Sequence, residues 1–216
     1  MNGMIRFLRL ILLVLTALAG CVRPGSSAPV EITDFTYPWD DQEPPSTLFR
    51  AHTQDARLHF HFIVEDPEVV VEERQFVETT VDGEDRVEIF FAKDESLTDY
   101  WCIEIDPLGR VHDYHARFYR EFDADWDCPG LEAAAEPTPT GYEVTASIPL
   151  QSLEELLGRP VQPGTSIRIG LFRADFFGPP GATRGASTTN WISWVRPRSP
   201  QPDFHIPSAF RLWTVP

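Results

Sequence analysis

Basic residues are scarce in this chain. Its 18 Lys and Arg stand against 33 Asp and Glu, which gives a formal net charge of −15, and Lys93 is the single lysine. Nucleic-acid binding depends on clustered Lys and Arg, so we exclude nucleic acid as a partner. Methionine is equally scarce, because Met1 and Met4 at the start of the chain are the only two. The rest of the chain therefore has no methionine to ligate a haem iron.

Long apolar runs are also lacking, apart from one near the N-terminus. Arg6 and Arg9 precede the run LILLVLTALAG at residues 10–20. This run is short for a membrane-spanning helix and has the length of a secretory hydrophobic region. The small residues before Cys21 resemble the lipobox of bacterial lipoproteins, in which the cysteine is acylated after the leader is cleaved. An ordinary signal peptide followed by a chance cysteine is the alternative.

The lipoprotein interpretation divides the chain into three parts. Residues 1–20 are predicted to be the signal peptide, and residues 21–30 a tether rich in Pro, Gly and Ser that begins at the lipidated Cys21. Residues 31–216 are predicted to form one domain. We then expect the protein in the bacterial cell envelope, either periplasmic or surface-exposed, with the membrane as a partner through the lipid anchor.

Only two cysteines remain if Cys21 carries lipid. Cys102 and Cys128 would then be an even pair in an oxidising compartment, and we expect a disulfide between them. Such a bridge would stabilise the fold by about 3.5 kcal/mol through chain entropy. Two buried free thiols or a metal site are the alternatives, since spacing alone does not show that the side chains meet.

Short strands with Gly and Pro turns dominate the pattern. Apolar residues occupy every second position from Leu58 to Val64, which is the period of a strand. The helix predicted at 152–158 starts with Ser152 as N-cap and ends at Gly158. We therefore predict an all-β fold, a β-sandwich or jelly roll of about ten short strands with one short helix. The further strands are predicted at 46–54, 85–92, 100–107, 110–118, 141–150, 166–175 and 191–195.

Catalytic motifs are missing as well. The chain has no Gly-x-Ser-x-Gly, no His-Glu-x-x-His and no phosphate-binding loop. Carboxylates are numerous, so their count does not exclude a glycosidase pair. A single sandwich of this length is nevertheless typical of a binding module, and we predict that the protein is not an enzyme.

Seven segments carry a recognisable pattern, in this order along the chain: LHFHFIVEDP, DRVEIFFA, YWCIEIDPLGRVHD, GYEVTASIPL, GTSIRIGLFRAD, ISWVRP and FHIPSAFRLWTV. Together they resemble the family 9 carbohydrate-binding modules found attached to glycoside hydrolases. The resemblance runs from about Ser46 to Val215. It implies a sandwich that binds sugar without cleaving it, between two aromatic rings that stack on the apolar faces of the sugar, with polar side chains around its hydroxyl groups.

The resemblance also implies site residues. Phe204 stands at the position of one clamping ring, Gln201 supplies an amide nearby, and Glu88 matches the glutamate of a strand. Whether Phe204 is a sugar platform or a hydrophobic plug stays open. Trp191 and Trp194 are three apart on a predicted strand, so they point to opposite faces. We expect Trp194 in the core and Trp191 in the binding groove.

The second clamping ring is expected just before the strand of Glu88, where an acidic loop stands instead. Asp82, Asp85 and Asp106 lie in or beside turns and offer the oxygen ligands that calcium prefers. A structural calcium ion and a solvated acidic loop are both compatible with these residues, and we favour the loop. No other cofactor is expected.

The histidines admit a further interpretation. His59 and His61 share one strand face, and His112 and His115 lie on another strand, which is compatible with a zinc site. No helical His pair or Cys pair completes such a site, so surface positions are favoured.

Three functions follow from these observations. The first is non-catalytic carbohydrate binding by a membrane-anchored lipoprotein, in support of glycan capture or breakdown, with an envelope enzyme or transporter as partner. The second is a structural or adaptor envelope lipoprotein that has lost the sugar site, as the acidic loop in place of the second ring suggests. The third is a haem-binding module, which would need two histidine ligands.

Overall fold

A computed structural model describes residues 27–71, 77–177 and 188–216. The predicted signal peptide and Cys21 lie outside the described residues. One antiparallel sheet has five strands in the order β1-β2-β3-β9-β8. These are β1 (Val30–Ile32), β2 (Thr47–Gln54), β3 (Arg57–Glu65), β8 (Glu132–Thr138) and β9 (Gly141–Pro149).

The second antiparallel sheet has seven strands. Its order is β11-β10-β4-β5-β6-β7, and β12 pairs with the first part of β10. These strands are β4 (Arg86–Ala92), β5 (Tyr100–Ile105), β6 (Val111–Arg117), β7 (Glu121–Asp123), β10 (Ser166–Phe177), β11 (Thr188–Ser193) and β12 (Arg211–Thr214). The predicted all-β sandwich is confirmed.

Alternating side chains build the core between the two sheets. On β3, Leu58, Phe60 and Phe62 are buried and their neighbours in sequence are partly exposed, as the two-residue period requires. They pack in one cluster with Ile89 of β4 and Leu171 of β10, which come from the facing sheet. Burial of these large apolar side chains is the main stabilising contribution to the sandwich.

The outer face of the seven-stranded sheet is covered too. Phe90, Tyr114 and Phe172 project from this face into a second buried cluster. Phe204 and Phe210, from the C-terminal segment, complete it. Both faces of β4 are therefore buried, which explains the apolar run at its end, residues 89–92.

The single α-helix of the described residues, α1, spans Leu150–Leu157. Gly158 ends it in the left-handed conformation, at φ 64°, as predicted. The predicted start is wrong, because β9 runs directly into the helix and Pro149 precedes it without a side-chain cap. The Ser152 hydroxyl instead donates to the Pro129 carbonyl oxygen at 2.7 Å. No helix in the described part of the chain is long and apolar enough to cross a membrane.

Four strands lie outside the predicted set. The short strands β1, β7 and β12 have three or four residues each. The longer β8 contains Pro137 and lies between the predicted strands at 110–118 and 141–150. Because β8 is an edge strand paired only with β9, the missing amide proton of proline breaks no ladder hydrogen bond with another strand.

The predicted disulfide is wrong. Cys102 and Cys128 are both buried free thiols. Cys102 belongs to the cluster on the outer face of the seven-stranded sheet, whereas Cys128 packs into the core between the sheets. Side chains on opposite sides of a sheet do not meet, so the required geometry is not available.

Candidate functional site

A cavity of about 410 Å³ opens on the outer face of the seven-stranded sheet. Its floor comes from β4, β5 and β6, and its walls come from the turn at 78–83, from the start of β7 and from the loop at 202–205. The lining residues are Thr79, Asp82, Arg86, Glu88, Glu104, His112, Tyr114, Arg120, Phe122, Ala124, Trp191, Pro202, Asp203, Phe204 and His205. Its size is that of a small-molecule site.

Strand register brings the floor residues together. Glu88 of β4 lies opposite Glu104 of β5, and Glu104 lies opposite His112 of β6. Directly paired residues of antiparallel strands point to the same face, so these three form one polar row. Tyr114 stands two positions after His112 and donates its hydroxyl to Glu104 at 2.9 Å.

A buried ion pair occupies the centre of the floor. Arg86 Nε lies 2.9 Å from Glu88 and 2.6 Å from Glu104. Burial opposes the charged form of Arg86, but Glu104 and Glu88 raise its pKa overall. The guanidinium also lies over the ring of Trp191, 5.4 Å from its centroid. This cation–π contact helps to fix the position of the indole.

Arg86 also holds the turn before β4. Its Nη1 donates to the backbone carbonyl oxygens of Val81, Asp82 and Glu84 at 3.3–3.4 Å. The arginine thus joins the cavity floor to its wall, which consists of the six-residue 3-10 turn Glu78–Gly83.

The surroundings of Glu88 favour the protonated form of its carboxyl group. Burial raises its pKa to about 8, and the nearby charge of Glu104 acts in the same direction, while Arg86 opposes both. A protonated carboxyl has a hydroxyl to donate as well as an oxygen to accept. When Glu88 is protonated, Glu104 remains as the charged partner of Arg86.

The other charged residues of the cavity are paired with each other. His112 Nδ1 lies 2.8 Å from Asp82, and Arg120 lies 2.8 Å from Asp203. Burial disfavours the charged form of His112, but Asp82 and Glu104 raise its pKa overall. Positive and negative charges in the cavity are therefore closely balanced.

His205 adds a neutral ring to the wall. Burial, followed by the positive charge of Arg120, lowers its pKa to about 3, so the imidazole is uncharged at neutral pH. Its Nδ1 lies 3.1 Å from the hydroxyl of Tyr100. This contact fixes the ring between the outer-face cluster and the cavity.

Phe204 lines the cavity but is 6% exposed. Its ring stacks on Phe172 with centroids 4.1 Å apart and planes 12° from parallel. The ring centroids of Trp39 and Trp191 lie 5.6 and 5.5 Å from the centroid of Phe204. Of the two readings left open from the sequence, the packing favours the plug, since Phe172 covers one face of the ring.

The other predicted site residues fall in different places. Glu88 and Trp191 line the cavity. Gln201 is exposed and lies outside the lining, so the structure does not bring its amide to the others. Trp194 packs against the core between the sheets, opposite to Trp191, as expected. No sequence motif singled out Arg120 or the other lining residues of the hairpin, because their place depends on strand pairing.

The proposed calcium ligands do not form one group. Asp106 pairs with Arg110, and Asp82 belongs to the cavity with His112. Asp85 lies with Asp66 and Asp175 in a buried cluster on the inner side of β10. A guanidinium supplies positive charge there, since Arg173 Nη2 lies 2.9 Å from both Asp66 and Asp175.

The four histidines of the zinc interpretation are also dispersed. His59 stacks on His52 with centroids 4.9 Å apart, and His61 lies 2.9 Å from Glu143. His115 pairs with Asp99 at 2.9 Å. Of these four histidines, only His112 lies within 4.8 Å of two other candidate ligands among the described residues, and these are Asp82 and Glu104.

Fold and site together define a β-sandwich binding module. The profile of the family described as carbohydrate family 9 binding domain-like matches residues 25–210. The chain belongs to this family of non-catalytic binding modules, which confirms the resemblance found in the sequence. A comparison with curated proteins finds no match.

Solved structures share the fold at low sequence identity. A candidate carbohydrate-binding protein from Bacteroides uniformis is 15% identical, with a TM-score of 0.64 over 88% of this chain and 86% of that protein. A family 9 carbohydrate-binding module from Caldicellulosiruptor kristjanssonii, in complex with cellotriose, is also 15% identical. Its TM-score is 0.51 over 86% of this chain and 80% of that module.

Proposed function

We propose that this protein binds a neutral carbohydrate in the cavity on the outer face of its seven-stranded sheet. The observation that carries the proposal is a charge-balanced polar floor that lies beside the indole of Trp191. A sugar needs fixed donors and acceptors for its hydroxyl groups and an apolar surface for its C–H face. The cavity offers both kinds of surface.

The charged side chains of the cavity are paired with one another, and this pairing is why we propose a neutral ligand. Arg86 with Glu104, His112 with Asp82, and Arg120 with Asp203 already satisfy one another. A charged ligand that separated the pair of Arg86 or of His112, both of which are buried, would leave a buried charge uncompensated, which is costly. Sugar hydroxyl groups can use the remaining hydrogen-bonding capacity of the same side chains without separating them.

Binding to a glycan array, followed by calorimetric titration, tests the proposal. We expect the full chain, purified in a detergent without a sugar headgroup, to bind at least one neutral glycan. The cellotriose complex of the Caldicellulosiruptor kristjanssonii module makes cello-oligosaccharides the first probes. Trp191→Ala should abolish binding, and Leu212→Ala, a change at a 59% exposed side chain away from the cavity, should leave it intact. Absence of binding to every neutral glycan would refute the proposal.

A second candidate is an adaptor that has kept the sandwich without the sugar site. The observation in its favour is the buried position of Phe204, whose ring is stacked on Phe172. If the wild-type chain binds no glycan, this second function becomes the better explanation.

We also propose that the module is tethered to the bacterial envelope through a lipid on Cys21, where it would deliver glycan to an enzyme or transporter. The support is the order of basic residues, apolar run and small residues before Cys21. Cys21→Ser should release the protein from the membrane fraction. Wild-type protein recovered in the soluble fraction without detergent would contradict the anchor.

A further inference from the structure

The cavity extends across the sheet rather than along one strand. Trp191 stands on β11, at one edge of the strand order, and Phe122 stands on β7, at the other edge. Four strands, β10, β4, β5 and β6, lie between them. The Trp191 indole reaches over Arg86 of β4, and the Phe122 ring on β7 contacts Tyr114 of β6, so the two rings are roughly two to three strand spacings apart, about 10–14 Å. One sugar ring would occupy only part of this length.

Phe122 presents a large apolar surface at the far end. It is 49% exposed although it lines the cavity. Its ring meets Tyr114 at 82° and His205 at 70°, with centroids 5.4 and 5.1 Å apart. At these steep angles neither neighbour lies parallel to the Phe122 ring, in contrast to Phe172 on Phe204.

Ion pairing holds this end of the cavity in place. Tyr119 donates its hydroxyl to Asp203 at 2.7 Å, and Arg120 donates to the same carboxylate at 2.8 Å. Both residues stand in the connection from β6 to β7, and Asp203 stands in the loop at 202–205. The hairpin is thus tied to that loop, and Phe122 is presented from a supported backbone.

Two positions where a stacking ring was expected do not provide one. The loop before β4 has Asp82, which pairs with His112, and Phe204 is covered by Phe172. We propose that the cavity is a groove for a neutral oligosaccharide lying across the strands, and that Phe122 is the stacking residue at the end opposite Trp191. The inference rests on the proposed function and adds to it the length of the ligand and the second ring.

A length series of ligands tests the proposal in the full chain. The probes are the mono-, di- and trisaccharide of the neutral glycan that binds most tightly on the array, with glucose, cellobiose and cellotriose as the first series. We expect the wild type to bind the trisaccharide more tightly than the monosaccharide. Phe122→Ala should weaken trisaccharide binding by about three- to tenfold and leave monosaccharide binding unchanged, since it removes one stacking face.

Phe118→Ala is the matched control. Phe118 lies in the same hairpin and is 50% exposed, but it does not line the cavity. This variant should bind all three probes as the wild type does. Phe122→Trp, which keeps an aromatic face, should retain the preference for the longer ligand.

The other possible binding results would each refute a particular part of the proposal. Equal affinity of the wild type for the monosaccharide and the trisaccharide, or unchanged binding by Phe122→Ala, refutes the groove. If Trp191→Ala abolishes binding in that same experiment, the proposed function stands and only the role of Phe122 fails. A wild-type chain that binds no neutral glycan refutes both.

Discussion

Replacement of Phe204 distinguishes a packed wall from a sugar platform. The ring is 6% exposed and stacks on Phe172 with centroids 4.1 Å apart. Phe204→Ala should leave a cavity among Phe172, Trp39 and Trp191, and buried Phe→Ala changes cost about 3–5 kcal/mol. For a domain of this size, 1 kcal/mol shifts the melting temperature by about 2–4 °C. We therefore expect a loss of about 6–20 °C.

Thermal unfolding beside a sugar titration provides the assay. Phe204→Leu keeps most of the volume without the aromatic face, and such swaps cost less than about 1.5 kcal/mol. A packed wall predicts that Phe204→Leu restores both stability and binding. A platform predicts a stable Phe204→Leu variant that has lost affinity. An unchanged melting temperature for Phe204→Ala would refute the packing account.

Three further predictions concern buried polar groups and thiols. Glu88 keeps its proton up to about pH 8 in the folded state, whereas the unfolded chain releases it near pH 4.3, so its contribution to stability is lost as pH rises between these values. Glu88→Gln should flatten the fall of melting temperature over that window, and an unchanged profile would contradict the assignment. Without reductant, a thiol reagent should label Cys102 and Cys128 in denaturant but neither in the native state, because both are buried free thiols. If peptide mapping finds both cysteines unlabelled in denaturant, the two are joined by a disulfide and the structural assignment is wrong. Arg173→Met should lower the free energy of unfolding by about 3–5 kcal/mol, because it leaves Asp66 and Asp175 without their buried partner. The control Arg117→Met, at an exposed ion pair, should lower it by less than about 1 kcal/mol. Equal losses of stability in the two variants would argue against a special role for the buried pair.

The strand pattern was predictable because it depends on local periodicity. Alternation from Leu58 to Val64 placed β3 and its inward face correctly. The three-residue spacing of Trp191 and Trp194 likewise predicted that the two indoles lie on opposite sides of the sheet. Both inferences need only the geometry of one strand.

The composition of the cavity was harder to predict because it depends on pairing between distant segments. Glu104 and His112 join Glu88 only through the register of β4, β5 and β6. Phe122 reaches the site through a three-residue edge strand, which is too short to leave a periodic signal. The predicted disulfide failed for the same reason, since sequence spacing does not reveal that Cys102 and Cys128 face opposite sides of one sheet.

A crystal structure of the full chain with the tightest-binding neutral glycan tests the central claim most directly. Our account predicts a sugar ring against Trp191, with its hydroxyl groups on the row formed by Glu88, Glu104 and His112. Sugar bound instead at the shallow depression beside His59, on the outer face of the five-stranded sheet, would contradict it.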